Sequence, residues 1–172
     1  MRATALFLDR ISAFLDRLAL YGAVFSVALL VLVAGWQVVA RYVLSQPPAW
    51  TEELARFMMV WAGLLGASVA YRAMADPCLF PGARDRQDET GRVFAVIRTL
   101  GTIAFVTPIL WYSLFSLRGQ VSGGYIARNA RQMAETMDVP MSVFAIAVPL
   151  GFTLILIHAL ALGAMTVTRP AD

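Results

Sequence analysis

Four long apolar stretches, separated by polar segments, constrain this chain more than any other feature of its sequence. They cover about residues 18–40, 51–71, 93–117 and 139–167. A helix that crosses the hydrocarbon core of a bilayer needs about 20 mainly apolar residues, and each stretch meets that length. The sequence therefore predicts an all-α integral membrane protein with four transmembrane helices and a single membrane domain.

Composition supports this prediction. Only 15% of the 172 residues are charged, and 59% are hydrophobic, whereas soluble domains average about 25% charged residues. The four spans leave only short tails and loops, so no separate soluble domain is expected. A net charge of +3 in such a chain indicates orientation in the membrane and not nucleic-acid binding.

Residues 4–17 precede the first span and have apolar side chains at helical spacing. They are Phe7, Ile11, Phe14 and Leu18. Such an amphipathic lead-in can lie on the membrane surface, extend the first span, or form a solvated helix whose charges pair locally. All three alternatives remain open from the sequence. The apolar stretch that follows is too long for the core of a secretory signal, so we expect it to be retained.

Arginine distribution predicts that both termini are cytoplasmic, because arginine-rich short loops stay on that side. All the basic residues are arginines. With the N-terminus inside, nine of them lie on the inner side, namely Arg2, Arg10, Arg17, Arg72, Arg84, Arg86, Arg92, Arg98 and Arg169. Four lie on the outer side, namely Arg41, Arg118, Arg128 and Arg131.

Several activities are disfavoured by missing residues. The chain has no Gly-rich phosphate loop, one cysteine (Cys78) and one histidine (His158), so ATP hydrolysis, dithiol chemistry and two-haem electron transfer lack their usual residues. No enzymatic activity, cofactor or metal site is predicted. We expect His158 to hydrogen-bond a neighbouring helix. No charged residue lies deep in a predicted span, which argues against a proton-coupled carrier.

The densest polar and aromatic cluster surrounds the turn between the first two spans. Its charged members are Arg41, Glu52, Glu53 and Arg56, and its tryptophans are Trp50 and Trp61. One interpretation is an interfacial aromatic belt with a weak surface ion pair. The other is a structural clamp in which Arg41 and Arg56 share the two carboxylates and fix the helix hairpin for a partner.

Small residues in the second span indicate close helix packing. Ala62, Gly63, Gly66, Ala67 and Ala70 form overlapping pairs four residues apart, a pattern that lets another helix approach. Thr51 is expected to cap this span. The polar segments 72–92 and 118–138 are expected to be loops, the second with a short surface helix.

The stretch Trp36-Gln-Val-Val-Ala-Arg41-Tyr42, followed by Trp50-Thr-Glu-Glu-Leu-Ala-Arg56 and Trp61-Ala-Gly-Leu-Leu-Gly66, resembles the DctQ-like small membrane subunits of tripartite ATP-independent periplasmic (TRAP) transporters. Asp138-Val-Pro140-Met and Ala147-Val-Pro149-Leu-Gly151 add a second match. The segment after the second span departs from the family pattern, with Tyr71-Arg-Ala-Met-Ala-Asp.

The resemblance implies a non-catalytic subunit in the bacterial inner membrane that scaffolds a larger, multi-span subunit. A periplasmic solute-binding protein would deliver organic acids, and an ion gradient, generally of sodium, would drive uptake. The positions carried over as structural or interface residues are Arg41, Trp50, Glu52, Glu53, Arg56, Trp61 and Gly66, to which the small-residue pattern adds Gly63. The loop 118–138 is a further candidate for contact with the binding protein. The alternative functions are a stand-alone four-helix carrier and a redox bundle.

Overall fold

A computed structural model describes residues 2–75, 77 and 88–168 of the chain. Its four long helical segments are α1 (Arg2–Tyr42), α2 (Ala49–Arg72), α3 (Glu89–Leu114) and the segment Ser142–Val167, and each is long and apolar enough to cross a membrane. The last segment comprises a short helix, α5 (Ser142–Ala145), and α6 (Ala147–Val167). The predicted all-α membrane fold with four spanning helices is confirmed. The centre of the predicted loop 72–92, including Cys78, lies outside the described residues, as does the C-terminal tail from Arg169.

The lead-in 4–17 is part of α1, which runs without a break from Arg2 to Tyr42. At 1.5 Å per residue this helix is about 60 Å long, twice the thickness of a typical hydrocarbon core. Of the three alternatives for the lead-in, the structure shows the continuous extension of the first span. Phe7 and Phe14 of the lead-in are exposed and do not pack on the other helices, whereas Leu15 packs against the core of the bundle.

The face of α1 that packs inside the protein repeats every seven residues. Its buried residues are Ala5, Ser12, Ala19, Ser26, Val33 and Ala40. A seven-residue repeat keeps one narrow seam of a helix against its neighbour in a left-handed bundle, and small side chains there allow the backbones to approach closely. The facing seam of α2 includes Thr51, Met58 and Leu65, with the same spacing.

Helices α1, α2 and α6 form the central group, and α3 packs on the outside of α6. The core cluster joins one residue from each central helix, Ala19, Leu65 and Leu154. Glycines allow the closest approaches: a Cβ atom on Gly151 of α6 would lie 2.9 Å from the Leu64 Cβ of α2. Most apolar side chains of α1 and α3 face outward.

The two ends of the bundle differ. The loop end holds the α1–α2 turn and residues 115–141, and the terminal end holds the start of α1 and the end of α6. At the loop end, α3 stops at Leu114 and the chain forms a 3-10 turn (Val121–Gly123) and a short helix, α4 (Tyr125–Asn129). This short helix lies in the loop 118–138, where the sequence predicted one.

Thr51 does not cap α2 as the sequence predicted. Pro48 is extended, with φ −68° and ψ 130°, and the helix begins directly after it at Ala49. Thr51 is therefore already inside the first turn, where it is fully buried and its hydroxyl donates to the Pro48 carbonyl at 2.6 Å. The fixed φ of proline pre-organises the start of the helix three residues earlier than a cap at Thr51 would place it.

Candidate functional site

At the loop end, Glu53 binds the segment that precedes α5. Its Oε1 accepts a hydrogen bond from the Glu135 N–H at 2.9 Å, and its Oε2 accepts from the N–H and hydroxyl of Thr136, at 2.8 and 2.5 Å. Only 4% of Glu53 is exposed. A buried carboxylate needs such donors to offset its lost hydration, so these contacts hold the loop to α2.

The segment that Glu53 binds is a narrow turn stabilised by backbone hydrogen bonds. The N–H of Ala134 donates to the Val139 carbonyl, and the N–H of Met141 donates to the Gln132 carbonyl, both at 2.9 Å. This pairing directs the N–H groups of residues 135 and 136 toward α2. The Glu53 carboxylate therefore receives donors that the turn itself leaves unpaired.

An aromatic pair reinforces this junction one helical turn along α2. The rings of Phe57 and Phe144 are stacked, with centroids 3.8 Å apart and planes 5° from parallel. Phe57 lies four residues after Glu53, so both side chains are on the same face of α2. Together they attach the 132–145 segment to the start of α2, and we call this contact the loop-end junction.

The arginines of the predicted clamp do not share the two carboxylates. In the described part of the chain, the salt bridge that forms joins Arg72 to Asp9, and neither Arg41 nor Arg56 contacts an acidic group closely. Arg41, Glu52 and Arg56 are exposed. The clamp, the second of the two interpretations, is therefore not formed, because N–H groups and a hydroxyl of a distant loop satisfy Glu53 in place of the arginines.

The two tryptophans occupy different environments. Trp61 is partly buried against the core cluster of Ala19, Leu65 and Leu154, whereas Trp50 is 40% exposed at the start of α2. Trp61 thus packs inside this chain, and Trp50 is available to lipid or to a partner.

The two glycines of the small-residue pattern in α2 do not make close contacts with the described helices of this chain. A Cβ atom added to Gly63 or Gly66 would meet nothing within 4 Å. The close contact to α1 is instead made by Leu65, whose Cδ1 would lie 2.8 Å from a Cβ on Gly22. Gly63 and Gly66 therefore leave open space beside α2.

A second polar junction at the terminal end joins α1, α2 and α6. Ser12 Oγ lies 2.7 Å from His158 Nδ1, and both side chains are fully buried. Arg72 donates to the same Ser12 oxygen and forms the 3.0 Å salt bridge with Asp9. The expectation that His158 hydrogen-bonds a neighbouring helix is confirmed, and we call this contact the terminal junction.

One hydrogen-bond direction in the terminal junction follows from its donor. Arg72 can only donate, so Ser12 Oγ accepts from it, whereas the direction of the bond between Ser12 Oγ and His158 Nδ1 depends on the histidine tautomer. His158 Nε2 is buried and has no hydrogen-bond partner among the described residues. Asp16 Oδ1 and Ser68 Oγ are also buried without such a partner. Asp16 lies between Ser12 and Gly22 on α1, and Ser68 lies between Leu65 and Arg72 on α2. Both are therefore located between the Leu65–Gly22 contact and the Arg72–Ser12 contact of this antiparallel helix pair.

Sequence reasoning missed Arg72 and Asp9 as structural residues, because it assigned Arg72 to a loop and left the charges of the lead-in without a specific partner. The available signal was the spacing itself. Ser12 belongs to the seven-residue repeat of α1, and Arg72 continues the spacing of Met58 and Leu65 in α2.

Both junctions are built to hold helices together. The groups that meet are a carboxylate with N–H donors, stacked rings, and a hydroxyl between an arginine and a histidine. In the described part of the chain no group of three or more His, Cys, Asp or Glu side chains is placed to hold a metal ion.

The hairpin of α1 and α2 matches a known protein family. Residues 30–76 match the family model of the DctQ component of tripartite ATP-independent periplasmic transporters. The resemblance predicted from the sequence is confirmed for this segment. No curated protein matches the chain.

The matched segment covers the last third of α1, the proline turn and all of α2. It includes every candidate residue carried over from the DctQ resemblance, from Arg41 to Gly66. It also includes two anchors of the junctions, Glu53 and Arg72. The partners of these anchors, Thr136, His158, Ser12 and Asp9, lie outside it.

Proposed function

We propose that this protein is the small membrane subunit of a TRAP transporter and that it serves as a fixed scaffold for a larger membrane subunit. The observation that carries the proposal is the match of residues 30–76 to the DctQ component. The four apolar helices provide the multi-pass membrane location that such a subunit requires.

The two junctions support the scaffold role. Glu53 and Phe57 attach α2 to the segment before α6 at the loop end, while Ser12, Arg72 and His158 join α1, α2 and α6 at the terminal end. A helix group that is tied at both ends resists sliding and rotation of one helix against another. This is the property that a static support for a moving subunit needs.

The outward faces support a partner. Gly63 and Gly66 lie open on α2, and small residues on a membrane helix permit close approach of a second helix. We propose that the large subunit packs on this face, with Trp50 and the exposed charges Arg41, Glu52 and Arg56 at its edge.

The finer features of the function rest on the family resemblance and the arginine distribution. We propose uptake of organic acids, delivered by a periplasmic binding protein and driven by an ion gradient, generally of sodium. The proposed location is the bacterial inner membrane. Both termini are proposed to lie in the cytoplasm, since nine arginines are then on the inner side. The loop end would face the periplasm and the binding protein.

Co-purification tests the subunit assignment. The chain carrying an affinity tag is expressed with a large TRAP membrane subunit from the same genome, and both are extracted in mild detergent. A stoichiometric complex supports the proposal, and recovery of the tagged chain alone under conditions that keep both proteins folded contradicts it. Reporter fusions after Arg72 and after Arg118 test the orientation, because a periplasm-dependent reporter should be active only after Arg118.

A further inference from the structure

A cavity of about 530 Å³ lies where α3 ends at the loop end. Six of the residues that line it are Tyr112, Phe115, Ser116, Leu117, Arg118 and Arg128. Its size is that of a small-molecule site, and its wall combines apolar side chains with hydroxyl and guanidinium groups.

Glycine fixes the shape of this cavity. A Cβ atom on Gly124 would lie 2.3 Å from the Leu114 carbonyl oxygen, and one on Gly123 would lie 2.7 Å from Ser116 Cβ. Only glycine permits this approach of the loop to the last turn of α3. This tight turn of the chain places α4, and with it Arg128, at the same cavity as Arg118.

The charge of the cavity is unbalanced. Neither the Arg118 nor the Arg128 guanidinium forms a salt bridge or side-chain hydrogen bond with the described part of the chain, and no acidic side chain lines the cavity. Two unpaired guanidinium groups beside the hydroxyls of Tyr112 and Ser116 form a site for an anion with several oxygen acceptors, such as a phosphate.

The position of the cavity identifies the source of that phosphate. Trp111 and Tyr112, in the last turn of α3, are aromatic residues of the kind that mark the level of lipid headgroups. Below them α3 presents an exposed apolar surface that includes Leu100, 59% exposed, and Phe105, 66% exposed although its ring edge meets Phe152 of α6. At the cavity edge Leu117 is 85% exposed. An occupant with a charged head and long apolar chains fits both surfaces at once.

We propose that this cavity binds the phosphate headgroup of an anionic phospholipid, with Arg118 and Arg128 on the phosphate and the acyl chains along α3. The inference does not depend on the transporter assignment. It requires only that the four helices span a bilayer.

Native mass spectrometry of the full-length chain in detergent tests the site, with phosphatidylglycerol and phosphatidylcholine of the same acyl chains as probes and inorganic phosphate as competitor. The variants are Arg118→Gln, Arg128→Gln and the double variant. Arg41→Gln is the matched control, because it removes one exposed positive charge from the same end outside the cavity. Circular dichroism verifies that each variant keeps the helical content of the wild type.

We expect phosphatidylglycerol to bind in preference to phosphatidylcholine. Each cavity arginine removed should weaken binding about fivefold, since one basic residue near a membrane surface contributes on the order of 1 kcal/mol. Arg41→Gln should leave it unchanged. Equal binding of the two lipids, equal loss with Arg41→Gln, or displacement by millimolar phosphate alone would each overturn the proposal, and none of these results would bear on association with a large subunit.

Discussion

The carboxylate of Glu53 accepts two hydrogen bonds from Thr136, one from the backbone N–H at 2.8 Å and one from the hydroxyl at 2.5 Å. The two residues are 83 positions apart in the chain. This contact ties the loop before α5 to the α1–α2 hairpin, so both segments form the surface at this end of the bundle.

Glu53→Gln should destabilise the protein by about 1.5 to 3 kcal/mol, because hydrogen bonds to a charged acceptor are lost and an amide NH₂ then faces N–H and O–H donors. Thermal unfolding in detergent measures the change. Glu52→Gln is the control, since the exposed Glu52 side chain forms no hydrogen bond with the described residues. Equal unfolding temperatures for the two variants would contradict the assigned role of Glu53.

Phe57 and Phe144 should be coupled energetically. Aromatic pairs contribute about 0.5 to 1.5 kcal/mol beyond the area that they bury, so the double variant Phe57→Leu/Phe144→Leu should lose less stability than the sum of the two single variants. A double-mutant cycle on the free energy of unfolding measures this coupling. Strict additivity would show that the stacked geometry contributes nothing.

Ser12→Ala should destabilise the protein by about 1 to 2 kcal/mol, because it removes a hydroxyl that serves both Arg72 and His158 and leaves the buried imidazole without that partner. Ser26→Ala is the matched control on the same seam of α1, since the Ser26 hydroxyl donates only to the Gly22 carbonyl of its own helix. An equal loss of stability in the two variants would contradict the role of Ser12 in the terminal junction.

A glycine that packs between helices and a glycine that lies open should respond differently to substitution. Gly151→Ala should destabilise the isolated chain by about 1 to 3 kcal/mol, because the new methyl group overlaps Leu64. Gly66→Leu should leave the isolated chain folded, since nothing lies within 4 Å of that position, and should weaken association with the large subunit through a steric clash. Thermal unfolding and co-purification measure the two effects. Undiminished co-purification of the Gly66→Leu variant would place the interface elsewhere.

Hydropathy was sufficient to predict the four spans, because the bilayer imposes length and apolar character on every crossing helix. The ends of the helices were harder to predict. Span three was predicted to reach Leu117 and span four to begin near Val139, whereas α3 ends at Leu114 and Val139 belongs to the turn bound by Glu53. These apolar residues line a cavity or a turn, where hydrophobicity does not distinguish helix from loop.

The contacts of Glu53 were not predicted from the sequence. Spacing within α2 pairs Glu52 and Glu53 with Arg56, the only partner that a local pattern can identify. Glu53 instead binds a turn that has no periodic pattern and that follows two further helices, α3 and α4, in the chain. For the same reason the pairing of Arg72 with Ser12 and Asp9 depends on the antiparallel register of α1 and α2, which single-sequence periodicity does not fix.

Uptake into liposomes distinguishes a scaffold from a transport pathway. Vesicles are prepared with this chain alone, with the large membrane subunit alone, and with both, and a radiolabelled organic acid is supplied with the binding protein under an inward sodium gradient. We expect gradient-dependent uptake only when both membrane proteins are present. Uptake by this chain alone, or full activity of the large subunit without it, would contradict the claim that these four helices form a scaffold and not a pathway.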